Sequence, residues 1–194
     1  MKLLLAALLG AIAIFVWLFI AHMFTPLGEA GLEYLPKEDA VSAVLTSSIG
    51  AAPGMYLFPS GGLTKESTRA EKQAGMQRAM DDMKIKPSGM LIYQPAGTTF
   101  NFGKSLIVEF LTDFAIAFIA VLLLARTRIA TFGGRVGFVV LLGVLAAIAA
   151  NVPHWNWYGF TGTYAVANMI TEIVGLCFAG LAIAAVYKPA AADR

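Results

Sequence analysis

The chain has 194 residues, of which 58% are hydrophobic and only 13% charged, with a formal net charge of +2. That is too apolar for a soluble domain of average composition, and it marks an integral membrane protein. The basic residues form neither a cluster nor a stripe interleaved with aromatics, so nucleic acid is excluded as a partner, and the single cysteine, Cys177, allows no internal disulfide and no CxxC metal site.

Residues 3–23 form an uncharged apolar run that follows Met1-Lys2 and ends at His22-Met23. A secretory signal would have a shorter apolar region closed by a small-x-small cleavage site, and Phe19-Ile20-Ala21-His22 is not one, so the run reads as an uncleaved first transmembrane helix. Trp17 is placed as an interfacial aromatic toward its outer end.

Residues 24–103 change to a water-soluble composition with balanced charge, which predicts an insert outside the membrane. Pro36 followed by Lys-Glu-Asp and closed by Gly50 predicts a short helix. The stretches from Pro53 to Pro59 and from Pro87 to Pro95 each hold a short β-prone run between breakers, and Thr64 to Lys84 between them is rich in helix formers. The expectation is a small α+β insert in which the two runs pair side by side or lie at the membrane surface.

The second span, residues 104–126, runs from Lys104 to Arg126 and carries two acids, Glu109 and Asp113, spaced i, i+4 on one helical face. About 20 apolar residues cross a bilayer, so Asp113 falls roughly halfway down at ~1.5 Å per residue. A third span is expected over residues 136–151, short and rich in Gly and Ala, and a fourth over residues 161–187, where Asn168 and Glu172 repeat the i, i+4 spacing. Spans two and four run in the same direction, which puts Glu109 level with Asn168 and Asp113 level with Glu172. No Lys or Arg lies at that depth, so three ionised carboxylates would repel one another. At least one is therefore expected to be protonated and donating, or a cation is bound. The cluster admits interhelical hydrogen bonds that fix register, a proton or cation relay, or acids facing another subunit or a bound cofactor.

Between spans three and four, Pro153-His-Trp-Asn-Trp-Tyr-Gly-Phe160 reads as an outer interfacial turn, with His154, Trp155, Asn156, Trp157 and Tyr158 anchoring at the membrane boundary. His22 and His154 are the only histidines and fall on the same side, a weak pointer to a shared metal or haem. Lys2, Arg126, Arg128, Arg135, Lys188 and Arg194 lie on the opposite side, so the positive-inside rule puts both termini in the cytoplasm and residues 24–103 outside it, on the face that would be periplasmic in a Gram-negative inner membrane. The fold class expected is an all-α transmembrane four-helix bundle with a small α+β extracytoplasmic insert between helices one and two.

The stretch from Leu8 to Trp17, the Pro53-Gly-Met-Tyr-Leu-Phe-Pro59 segment and above all Trp155-Asn-Trp-Tyr-Gly-Phe160 resemble a family of uncharacterised bacterial four-span inner-membrane proteins of similar size and layout. The resemblance implies a four-helix membrane protein with an outer insert and supplies no activity or catalytic residue. There is no GxSxG, HExxH or P-loop. The function expected is therefore a non-catalytic accessory or structural subunit of a larger membrane complex, partnered by the bilayer and by other subunits or itself. The alternatives are a small oligomeric proton- or cation-coupled transporter using the intramembrane acids and a carrier of haem, quinone or pigment.

Overall fold

The computed structural model describes residues 1–188 and divides into two units, Met1–Leu32 joined by the chain from Asn101 onward, and Glu33–Phe100. The polar tail and the charge of Arg194 invoked for topology lie outside the described residues.

Four long helices build the first unit: α1 (Lys2–Phe24), α4 (Phe102–Ala125), α5 (Phe132–Tyr158) and α6 (Gly162–Val186). All four are long and apolar enough to cross a membrane; the shortest has 23 residues, about 34 Å at ~1.5 Å per residue. Side-chain oxygens cap three of them. Asn101 accepts from the Lys104 amide at 2.9 Å, Thr131 from Gly134 at 3.1 Å and Thr161 from Tyr164 at 3.2 Å. These groups satisfy amides that lack a partner inside the helix.

The helices form an open array rather than a closed ring. α1 packs against α4 on one side and α6 on the other, α6 packs against α5, and α4 and α5 touch only slightly. Small residues set these contacts: Ala6, Ala7 and Ala11 of α1, Ala117 and Ala120 of α4 and Ala179 of α6 are buried beside Val121, Leu124, Val139 and Ile183. Among lipid-soluble helices the gain comes from close van der Waals approach. Gly143 shows the limit, since a Cβ there would stand 2.7 Å from the Cβ of Leu176.

Two polar residues tie the array together in places the sequence does not announce. Trp17, expected at the interface, packs on Phe178 at 5.5 Å between ring centroids, and its Nε1 donates to the Thr171 carbonyl at 2.9 Å. Arg135, expected in a cytoplasmic turn, lies in the first turn of α5 with 2% of its surface exposed. Its guanidinium donates to Ala130 O and, at 3.1 Å, to Ala184 O. A cation at the carboxyl end of α6 complements the partial negative charge there.

Helix limits also differ. α5 begins at Phe132 and continues through Pro153 to Tyr158, so the residues expected to form a turn occupy the last turns of a helix. The actual turn starts at Gly159, whose φ of 77° closes the helix in a conformation that favours glycine. A proline removes one backbone bond, a loss that long apolar helices tolerate through local adjustment. At the other boundary, residues 25–32 belong to the helical unit. Thr25 Oγ1 donates to Ala21 O at 2.7 Å, the chain turns through Pro26–Gly28, and Thr161 Oγ1 donates to Gly31 O at 3.4 Å.

The second unit, taken alone, holds α2 (Glu38–Ile49), β1 (Gly54–Phe58), α3 (Arg69–Asp82) and β2 (Gly89–Tyr93). β1 and β2 pair antiparallel, with Gly54 opposite Tyr93 and Phe58 opposite Gly89. Tyr93 is buried and donates to Gly50 O at 2.9 Å. α3 opens with a capping box in which Thr68 Oγ1 accepts from the Glu71 amide and the Glu71 carboxylate accepts from the Thr68 amide at 2.7 Å. The Thr68 hydroxyl and amide hold the Glu71 carboxyl below its ordinary value, and Lys84, 2.7 Å away, followed by Gln77, does the same for Asp81. Such hydrogen bonds favour the ionised form.

Candidate functional site: an acid-lined groove between α4 and α5

Because α4 and α5 are joined by only six residues yet touch little, they separate along their length and leave a groove of about 570 Å³. All four long helices line it. α4 contributes Glu109, Thr112, Asp113, Ile116, Ile119, Ala120 and Leu123, each within a stripe repeating every three or four residues. α6 contributes Asn168, Thr171, Glu172, Gly175 and Leu176, α5 adds Leu142, Ala146 and Ala150, and α1 adds Ile14, Leu18 and His22.

The four residues singled out from spacing, Glu109, Asp113, Asn168 and Glu172, therefore share one groove, although α4 and α6 are separated by α1 and do not pack face to face. Asp113 lies midway along α4 and is 2% exposed, whereas Glu109, one turn away, is exposed at the rim. Glu172 lies midway along α6. Asn151 of α5 donates through Nδ2 to Glu172 Oε1 at 3.1 Å and to Ala147 O at 3.0 Å. This partner is absent from the sequence reading, which ends the third span at 151. The signal was available, since Asn151 continues the stripe of Gly143 and Ala147 at i, i+4.

The remaining polar groups direct their donors elsewhere. Asn168 Nδ2 bonds Tyr164 O at 2.9 Å, Thr112 Oγ1 bonds Val108 O at 2.9 Å and Thr171 Oγ1 bonds Ala167 O at 2.9 Å, all within their own helices. Among the described residues, Asp113 Oδ2 and Glu172 Oε2 are buried with no hydrogen-bond partner. The groove thus presents acceptors backed by apolar walls, a combination typical of sites that orient a ligand with a few polar groups.

A second furrow, about 650 Å³, lies between α1 and α6 and is lined by Leu9, Ile12, Val16, Phe178, Leu181 and other apolar groups, with no charged residue. The acids are thus specific to the α4–α5 side, not a general property of the bundle's surface.

The two histidines are engaged separately. His22 lines the groove and holds Leu18 O at 2.8 Å through Nδ1, which fixes its proton there and leaves Nε2 as an acceptor in the neutral ring. His154 packs on Phe160 at 5.1 Å and Tyr158 at 5.9 Å between ring centroids. Among the described residues no group of three His, Cys, Asp or Glu side chains is placed to hold a metal ion. Trp155, Trp157 and Tyr158 are exposed at the end of α5, as is Asn156. No protein-family model, no curated protein and no solved structure matches the chain.

Proposed function

We propose that the protein is a small, non-catalytic integral-membrane subunit of a larger membrane assembly, and that the groove between α4 and α5 is where another component completes it. The observation that carries this reading is the open edge itself: α4 and α5 barely touch, and mid-helix carboxylates line the gap. Charged groups at membrane depth face protein, water or a partner rather than lipid tails. The positive-inside rule puts Lys2, Arg126, Arg128 and Lys188 in the cytoplasm and the unit around β1 and β2 outside it, and the resemblance to bacterial four-span proteins points to an inner membrane.

The test is a photo-reactive residue at Ile119 on the groove wall, compared with one at Val16 on the apolar furrow, in native membranes. Ile119 traps one foreign subunit in high yield and Val16 does not. Trapping only lipid or a second copy from both positions contradicts the proposal.

A second reading, a small oligomeric transporter coupled to protons or cations, is favoured by the unpartnered oxygens of Asp113 and Glu172. In liposomes it requires an ion or proton flux that Asp113→Asn and Glu172→Gln abolish; no flux from the wild-type chain ends it.

A further inference from the structure

We infer that the α4–α5 groove binds an amphipathic molecule with a protonated amine head and an apolar tail. This rests on the reading that the groove is completed by another component, and it adds what the site selects. Glu109, Asp113 and Glu172 bring three carboxyl groups to one groove, and two of their oxygens are buried without a partner. Asn151, Asn168, Thr112 and Thr171 direct their donors to Glu172 and to backbone carbonyls, so the groove offers acceptors rather than donors. No Lys or Arg lines it. The head that answers this chemistry carries both a positive charge and N–H donors, and a primary ammonium has three. Its bonds to carboxylates in a low-dielectric site are of the strong, charge-assisted kind.

The tail follows from the walls. From Asp113 to Leu123 the groove runs ten residues along α4, roughly 15 Å, past Ile116, Ile119, Leu142 and Leu176, all apolar. A volume of about 570 Å³ suits a small amphiphile. Among the described residues, the four long helices of a second copy carry no cation at that level. Lys2, Lys104, Arg126, Arg128, Arg135 and Lys188 all sit at or beyond helix ends, away from the level of Asp113 and Glu172.

The experiment uses the full chain in phosphatidylcholine nanodiscs, with dodecylamine as probe and thermal unfolding and native mass spectrometry as readouts. Dodecylamine binds saturably at one per chain and raises the unfolding temperature. Dodecanol, with no charge, and dodecyltrimethylammonium, with no N–H, shift it far less. Asp113→Asn and Glu172→Gln, near-isosteric and checked for unchanged circular dichroism, each weaken dodecylamine roughly tenfold, the scale of one charge-assisted hydrogen bond. Equal binding of dodecanol, unchanged affinity in both variants, or the same stabilisation by NaCl without amine overturns the inference. An Ala146→Phe variant, which fills the groove, separates the two levels. If it abolishes dodecylamine binding, the groove is the site, and equal binding of dodecanol to the wild-type chain is then what shows that the site does not read the ammonium. If it changes no amphiphile's binding, the groove is not a site at all.

Discussion

At the scale of single residues the account turns on Glu172 and the partners it has and lacks. One of its carboxylate oxygens accepts from Asn151 Nδ2 at 3.1 Å and the other is buried with none. Removing the donor leaves a buried acceptor uncompensated, at a cost of about 1–3 kcal/mol. Asn151→Leu should therefore lower stability by about that amount, whereas Glu172→Gln, which keeps an oxygen opposite Asn151, should cost clearly less. Unfolding in mixed micelles checks the pair, and equal losses would show that the bond does not hold α5 to α6. The acids themselves were legible from sequence, because i, i+4 carboxylates in an apolar run have no soluble-face explanation. Asn151, whose place in the Gly143–Ala147 stripe was readable, was passed over, and Arg135 was misplaced. Pro153 makes the chain beside Asn151 look like a turn, and Arg135 at a helix start looks like a topology signal although it is buried against Ala184.

The elements differ in how plainly they are written. Four spans follow from apolar length alone, and the two β-prone runs of the insert pair as β1 and β2. The neighbour order of the helices does not follow, because apolar helices carry similar residues all round and only the small ones mark the contacts. Gly143 marks one of them. Gly143→Val places new atoms against Leu176, where a Cβ alone would already be at 2.7 Å. It should destabilise the α5–α6 pair by about 1–3 kcal/mol, read as a lower unfolding temperature, and an unchanged temperature would show that the helices can part at no cost. In the insert, α3 depends on its capping box. Thr68→Ala should cost about 1 kcal/mol and speed amide exchange in the first turn of α3 roughly fivefold. Because the Glu71 carboxyl is held below its ordinary value of 4.5 in the folded state, its contribution is complete above that value and disappears as pH falls through the folded one. Exchange in the first turn, followed from pH 6 to pH 3, should accelerate only at the acid end beyond the intrinsic trend, and Glu71→Gln should remove that acceleration.

For the whole molecule, the expected bundle becomes an open array with a polar edge. Composition announces four apolar helices, but whether they close on one another depends on which faces hold alanine and glycine at contact depth. Here those faces pair α4 with α1, α1 with α6 and α6 with α5. The remaining edge gathers Asp113 and Glu172 from helices that α1 separates, a juxtaposition that matching depths suggested and only the packing explains. A membrane protein with such an edge is expected to act in company. The direct measurement is purification from the native membrane in mild detergent, with mass spectrometry of every protein and small molecule that co-purifies. The account predicts a foreign subunit in fixed stoichiometry with this chain, retained through two chromatographic steps. A partner-free homo-oligomer would contradict it.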